Sequence, residues 1–483
     1  MAEGPKVIIA GSVPTSIAVG AAKRHNPHPR RPTGPALPFF ATPLLRHPRL
    51  APAVAVSMTT STRPLGFWSA TALVVGSMIG SGTFLLPATL APYGAATLIG
   101  WGITLCGALL LAVTFAQLAK RWPQTGGPYV FARNAFGELP GFMVAWSYWI
   151  SMWCAIAAIA VAFTGSVGAI FPALTATPVR AASCGLVALW ACAGVNLMGL
   201  REAGRLQLLT TVLKVVPLLL FGLVALWFVD TRHYVPFNPS GESLGTVAAA
   251  TVALTLWAMI GLEAATVPAE SVDDAPRTVA RATVAGTAIA GVATVLACTT
   301  VLGLLPADVL AKSGAPMADA AAALWGPAAG TVLAVVMAIS CVGALNGWTL
   351  LSAQLPMAAA RDGVLPRAFA HQTRNGAPAF GIIVSCVLAT VLVISNYNRS
   401  LVDLFKFSVL LSTAATLLPY VAGAAAWLWR GTGTATRLAA AGALAFSLYA
   451  VAGVGTEALL WGLALLAAGL PIYFWLRRSR YMK

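Results

Sequence analysis

A single glutamate inside an apolar stretch constrains this chain more than any other residue. Glu263 lies in Leu254-Thr-Leu-Trp-Ala-Met-Ile-Gly-Leu-Glu-Ala-Ala-Thr-Val267, a run long enough to cross a bilayer. A carboxylate at the centre of a membrane helix costs about 2.5–3.5 kcal/mol even on insertion scales. Function is therefore the default reading, against a structural acid bonded to a neighbouring hydroxyl. Trp257, Gly261 and Pro268 flank the acid and interrupt the helix where it sits. A second glycine-broken apolar run, Leu73-Val-Val-Gly-Ser-Met-Ile-Gly-Ser-Gly-Thr-Phe84, lies near the start. Broken spans at corresponding places in two halves mark a substrate site near the membrane midplane.

Of 483 residues, 58% are hydrophobic and 9% charged, against about 25% charged in soluble domains. The chain is a polytopic membrane protein. From Phe67 on it holds twelve apolar segments, at 67–90, 95–118, 139–171, 181–200, 206–229, 244–268, 279–305, 327–358, 379–396, 401–429, 436–453 and 456–476. Each is long enough for the ~30 Å hydrocarbon core. The fold class expected is all-α: twelve transmembrane helices arranged as a five-plus-five inverted repeat with broken helices 1 and 6. The first repeat is 67–229, the second 244–429, and two helices follow at 436–476, within a transporter domain of 66–478.

The net charge of +16 would suggest nucleic acid in a soluble protein. Here the basic residues sit in short, alternate loops. Lys120, Arg121, Arg133, Arg201, Arg205, Arg277, Arg281, Arg361, Arg367, Arg374, Arg430 and Arg437 share one side with the tail, while Arg180, Arg232, Lys312 and Arg399 lie opposite. That places both termini in the cytoplasm, in a multi-pass inner (plasma) membrane protein that binds no nucleic acid. Residues 1–65 are basic and proline-rich without period, and are expected to be disordered. Met58 opens a short polar lead into the first span, so removal of residues 1–57 is expected to leave insertion and transport intact. A truncated protein that fails to insert would overturn this.

The seven cysteines all lie in apolar runs and read as small buried hydrophobes. The histidines lie outside the spans, no metal or cofactor site is visible, and no phosphate-binding or hydrolase motif occurs. In Gly76-Ser77-Met78-Ile79-Gly80-Ser81-Gly82 the glycines permit unwound backbone. The half-helix that follows offers unpaired N–H groups to a carboxylate; the alternative is a small-residue packing face. Lys214 is the other deep charge. It serves as a fixed charge or proton carrier near the first break, or else it snorkels to a headgroup. Trp257, Trp348 and Tyr148 are mid-span aromatics suited to covering a substrate or stacking on its cation. The loop Trp122-Pro-Gln-Thr-Gly-Gly-Pro-Tyr-Val-Phe-Ala-Arg133 is either a re-entrant gate or an ordinary connection.

Together Gly80-Ser-Gly-Thr-Phe84, Thr125-Gly-Gly-Pro-Tyr129, Trp257-Ala-Met-Ile-Gly-Leu-Glu263 and Gly347-Trp-Thr-Leu350 resemble the amino acid–polyamine–organocation superfamily of transporters. The resemblance covers 66–478 and is strongest to basic amino acid/polyamine antiporters such as the arginine/agmatine exchangers. It implies alternating access, often in a homodimer. It also implies that Ser77, Met78, Ser81 and Gly82 line the substrate's carboxylate and amino end. Trp257 would close one side with Ile260 beneath it, and Trp348 would gate the pathway midway. Tyr148, Glu263 and Tyr420 would seal the cytoplasmic side, and Ser151, Met152 and Ser412 would line the pocket.

Three residues depart from the arginine/agmatine exchangers. Ile156 replaces an asparagine that contacts the guanidinium, and Phe131 replaces a tyrosine linked to pH sensing. Lys214 replaces an apolar residue and is similar instead to the fifth-span lysine of proton-coupled amino acid permeases and of sodium-independent amino acid exchangers. Glu263 and Lys214 are thus the proton-coupling candidates. The function expected is secondary transport of amino acids or their amine derivatives, by antiport or with protons. The alternatives are a proton-coupled neutral amino acid permease or exporter, and more distantly a channel with Glu263 as selectivity element. A membrane-embedded enzyme would need clustered acids or histidines in the spans.

Overall fold

Helix closes its own backbone hydrogen bonds, which hydrocarbon demands. The computed structural model describes residues 66–267 and 272–481, and no β-strand occurs among them. The chain order is α1 (Phe67–Met78), α2 (Ser81–Leu90), α3 (Thr97–Arg121), α4 (Pro128–Phe136), α5 (Glu138–Ile170) and α6 (Pro178–Met198). Next come α7 (Leu200–Ala225), α8 (Leu244–Leu256), α9 (Ala275–Leu302), α10 (Ala307–Leu310), α11 (Pro316–Trp325) and α12 (Pro327–Arg361). The chain closes with α13 (Ala379–Ser395), α14 (Leu401–Arg430), α15 (Thr434–Gly453), α16 (Thr456–Ala467) and α17 (Gly469–Tyr481). Among the described residues, eight helical segments are long and apolar enough to cross a bilayer; three shorter apolar helices are Leu213–Phe228, Leu244–Met259 and Ala379–Ser395. The expected disorder of residues 1–65 falls outside the described residues, as does Pro268.

Both expected breaks are present. The helix of α1 stops at Met78, and Ile79 turns extended at φ −77°, ψ 97°. Gly80, at φ −142°, ψ −149°, redirects the chain into α2. In the sixth run α8 stops at Leu256, followed by a single 3₁₀ turn over Trp257–Met259 and an extended Ile260. Gly261 then takes φ +107°, which a residue with a Cβ resists.

The long helix α5 packs on both α12 and α14, and α9 packs on both α1 and α3 beside the first break. Small residues permit the close approaches. A Cβ on Gly286 of α9 would stand 2.6 Å from Val74 of α1, so these helices meet backbone to side chain. Buried threonines such as Thr71, Thr114 and Thr287 donate to carbonyls four residues back, which satisfies them without water.

The loop after α3 is neither an ordinary turn nor a long re-entrant segment. Gly127 at φ +55° precedes Pro128, which starts α4. Tyr129 of α4 donates to Asp362, just past α12, and Arg133 pairs with the same carboxylate at 3.2 Å. Burial, then the Asp362 carboxylate, holds the Tyr129 hydroxyl above its ordinary pKa. Two cysteines depart from expectation: Cys106 of α3 is exposed and Cys184 of α6 is half-buried, whereas the other five of the seven are buried. An apolar run in a membrane has a lipid face as well as a protein face, and thiols suit both.

Candidate functional site

The two breaks touch. A Cβ on Gly261 would lie 3.0 Å from the Cβ of Ser77 and 3.2 Å from the backbone nitrogen of Met78. Positive φ and this contact point the same way, so only glycine fits. Gly261→Ala should strain the junction by about 1–3 kcal/mol. The expected result is a melting midpoint a few degrees lower, while Gly245→Ala, with only Ser243 Oγ near at 3.9 Å, leaves it unchanged. Equal midpoints for the two variants would show that the junction tolerates a side chain.

Around this junction Ser77, Met78, Gly80, Ile159, Trp257, Ile260 and Trp348 line a void of about 10 Å³. That is near the threshold for one water molecule and far below the ~300–1,000 Å³ of ligand sites. Nothing larger than a water molecule fits there unless the surrounding helices move. Trp257 and Trp348 are buried, as are Met78 and Ile260.

Glu263 is wholly buried two residues beyond Gly261. Its Oε1 accepts from the Tyr148 hydroxyl of α5, and its Oε2 accepts from the Tyr420 hydroxyl of α14 at 2.9 Å. The Gly261 N–H also donates to Oε2, at 3.3 Å. Three donors thus converge on one carboxylate from three separate chain segments. The edge of Phe115 packs on Tyr420 at a centroid distance of 5.7 Å; Phe131 lies 5.9 Å from Phe115, and Trp122 stacks on Phe131 at 6.5 Å. Rings therefore continue from Glu263 to the Lys120–Arg121 end of α3. The Gly126 N–H donates to the Val267 carbonyl at 3.2 Å, which ties the loop before α4 to the segment carrying Glu263.

Lys214 of α7 is wholly buried and donates from Nζ to the Gly76 carbonyl. Gly76 belongs to the last turn of α1, where carbonyls lack intrahelical partners and the helix dipole favours a cation. The ammonium ends on the first break, not at a headgroup.

The other expected residues distribute unevenly. Ser77 of α1 donates to the Leu73 carbonyl at 2.8 Å and lies at the void. Ser412 donates to the Ser151 carbonyl at 2.8 Å, which ties α14 to α5, whereas the Ser151 hydroxyl turns back within α5 to the Tyr148 carbonyl at 3.1 Å. Met152 and Ile156 are buried on α5 but do not line the void. Ser81 and Gly82 begin α2, and the Ser81 side chain lies outside the described residues. Ile159 and Gly80 line the void without having been singled out for it. Ile159 sits one helical turn beyond Ile156, so the 3.6-residue period from Met152 was the signal for it.

Residues 65–476 match the family described as amino acid permease. A cadaverine/lysine antiporter of Escherichia coli (strain K12) is 32% identical over 370 residues, 75% of this chain and 82% of that protein. The putrescine transporter PotE of the same strain is 30% identical over 421 residues, 85% of this chain and 95% of that protein.

Proposed function

This chain belongs to the amino acid permease family, and we propose that it exchanges amino acids and their amine derivatives across the plasma membrane by alternating access. It is a secondary transporter, not an enzyme. Its apolar helices make it a multi-pass membrane protein handling small-molecule substrates. Cadaverine, lysine and putrescine, named for its relatives, indicate the class: primary amines with or without a carboxylate. Proton-coupled uptake without exchange is the less favoured reading.

The observation that carries the proposal is the contact of two broken spans beside a void too small for any substrate. In our reading the α2 N-terminus, with Ser81 and Gly82, receives the carboxylate. The carbonyl ends at Ser77–Met78 and Trp257–Ile260 receive the ammonium. Trp257 and Trp348 cover the substrate, with Met152, Ile156 and Ile159 along its side chain. Tyr148, Glu263 and Tyr420 close the cytoplasmic side, and Ser151 and Ser412 hold α5 against α14 there. This conformation is then a closed stage of the cycle.

We further read twelve spans. Phe67–Arg121, at 55 residues, is long enough for two crossings at ~1.5 Å per residue, and the three shorter apolar helices complete the number. The breaks in the first and sixth spans support a five-plus-five inverted repeat. Loop charges support cytoplasmic termini, and a homodimer is the assembly expected.

Labelled lysine, ornithine, cadaverine, putrescine and neutral amino acids, presented to proteoliposomes with and without internal substrate, test the reading. Uptake of at least one should require internal substrate. Uptake independent of internal substrate and driven by a pH gradient would favour the proton-coupled permease. Unitary currents in planar bilayers would overturn a carrier altogether.

A further inference from the structure

A groove between α5, α13, α14 and α16 has no part in the site above. Its volume is about 510 Å³, and Trp153, Leu388, Leu392, Leu411, Trp461 and Leu465 give it apolar walls. Arg399 and Glu457 stand in its lining too, paired at 2.6 Å, with the guanidinium 4.6 Å over the Phe407 ring. The same pair also borders a polar cavity of about 690 Å³, whose lining adds Asp403 and Lys406. An apolar limb and a polar limb thus join at one ion pair. The polar limb carries two cationic and two anionic side chains.

A third feature separates this groove from an ordinary lipid-facing surface. Trp153 is only 5% exposed, yet its indole Nε1 has no acceptor among the described residues. A buried N–H seeks an acceptor, and a plain hydrocarbon chain has none. The ester carbonyl of a glycerophospholipid is such an acceptor.

We propose that this groove is a binding site for one phosphatidylethanolamine molecule. One of its two acyl chains lies along Leu388, Leu392, Leu411 and Trp461, and Trp153 donates to that chain's ester carbonyl. Arg399 and Lys406 take the phosphate, and Glu457 and Asp403 take the ammonium. The headgroup's opposite charges match the limb's opposite charges. Trimethylated choline lacks N–H donors for the carboxylates, and glycerol lacks the cation. The bound lipid braces α5 and α14 from behind, since Trp153 adjoins Met152 and Leu411 adjoins Ser412.

Native mass spectrometry of the full chain in mild detergent tests this, with phosphatidylethanolamine, phosphatidylcholine and phosphatidylglycerol added in turn. Retention of the ethanolamine lipid should exceed that of the others by about tenfold, the worth of one charge-assisted hydrogen bond. Arg399→Gln and Glu457→Gln should each erase that preference. Trp153→Phe, which keeps a ring and removes the donor, should weaken retention of all three lipids. The melting midpoint of each variant shows that it is folded, and a variant that unfolds is replaced by Lys406→Gln or Asp403→Asn. Equal retention of the three lipids by the parent protein means annular lipid only and overturns the proposal. A dimer that retains no lipid assigns the groove to a second copy of the chain and overturns it as well.

Discussion

Glu263→Gln should slow substrate exchange by about ten- to a hundredfold without preventing folding. Three buried donors, the hydroxyls of Tyr148 and Tyr420 and the N–H of Gly261, meet the two carboxylate oxygens. A glutamine amide has one acceptor oxygen and adds two donors of its own. At least one buried donor therefore loses its acceptor, which costs about 1–3 kcal/mol, and about 1.4 kcal/mol is a factor of ten. The loss falls on the closed arrangement, which every cycle of a carrier must visit, so its population drops. Initial rates of labelled exchange in proteoliposomes measure the effect. The variant should also flatten the pH dependence of exchange, because it removes the one titratable acid at the junction. Rates equal to the parent's from pH 5 to 8 would reduce Glu263 to a structural role.

Lys214→Ala should remove any response of exchange to a pH gradient, while exchange between equal pools survives in part. The ammonium occupies the Gly76 carbonyl at the end of α1, next to Ser77 and Met78 at the void. With the charge present, α7 holds the broken span in place. A neutral amine would hold it less strongly and favour opening, so the rate of exchange would follow the protonation of Lys214. Alanine leaves the span permanently unheld and gives a proton nothing to bind. Accumulation of substrate against its gradient by the variant, when protons are supplied, would remove Lys214 from coupling. Coupling would then rest on Glu263.

Some of this was written in local sequence. Hydrocarbon excludes unpaired backbone and charge, so long apolar runs had to be helices and the loops had to hold the arginines. The acid at 263 broke that rule and so marked a functional place, and the dense glycines at 76–82 permitted a break there as readily as a packing face. The structure has its breaks there, at Ile79–Gly80 and at Ile260–Gly261. A mid-span acid is a local violation of a membrane rule, and a glycine run a local weakness of helix, and both are legible residue by residue.

Which side chains meet was not legible that way. Tyr148 lies 115 residues before Glu263 in sequence and Tyr420 lies 157 after it; only the resemblance, and no periodicity, set them together beforehand. Lys214 finds Gly76 across 138 residues. Its alternative fate as a snorkelling side chain was equally compatible with its sequence neighbours. Ile159 lines the void in place of Ile156, and Cys106 faces outward. Trp153 stands in a groove with Arg399 and Glu457 that no motif announces. A span apolar on all sides carries no stripe to say which face turns inward. The rotation of each helix about its axis is decided by packing against the others. Composition therefore determined that this chain is a bundle of membrane helices with two breaks. Only the tertiary structure decided that the breaks touch, and which three donors hold the acid between them.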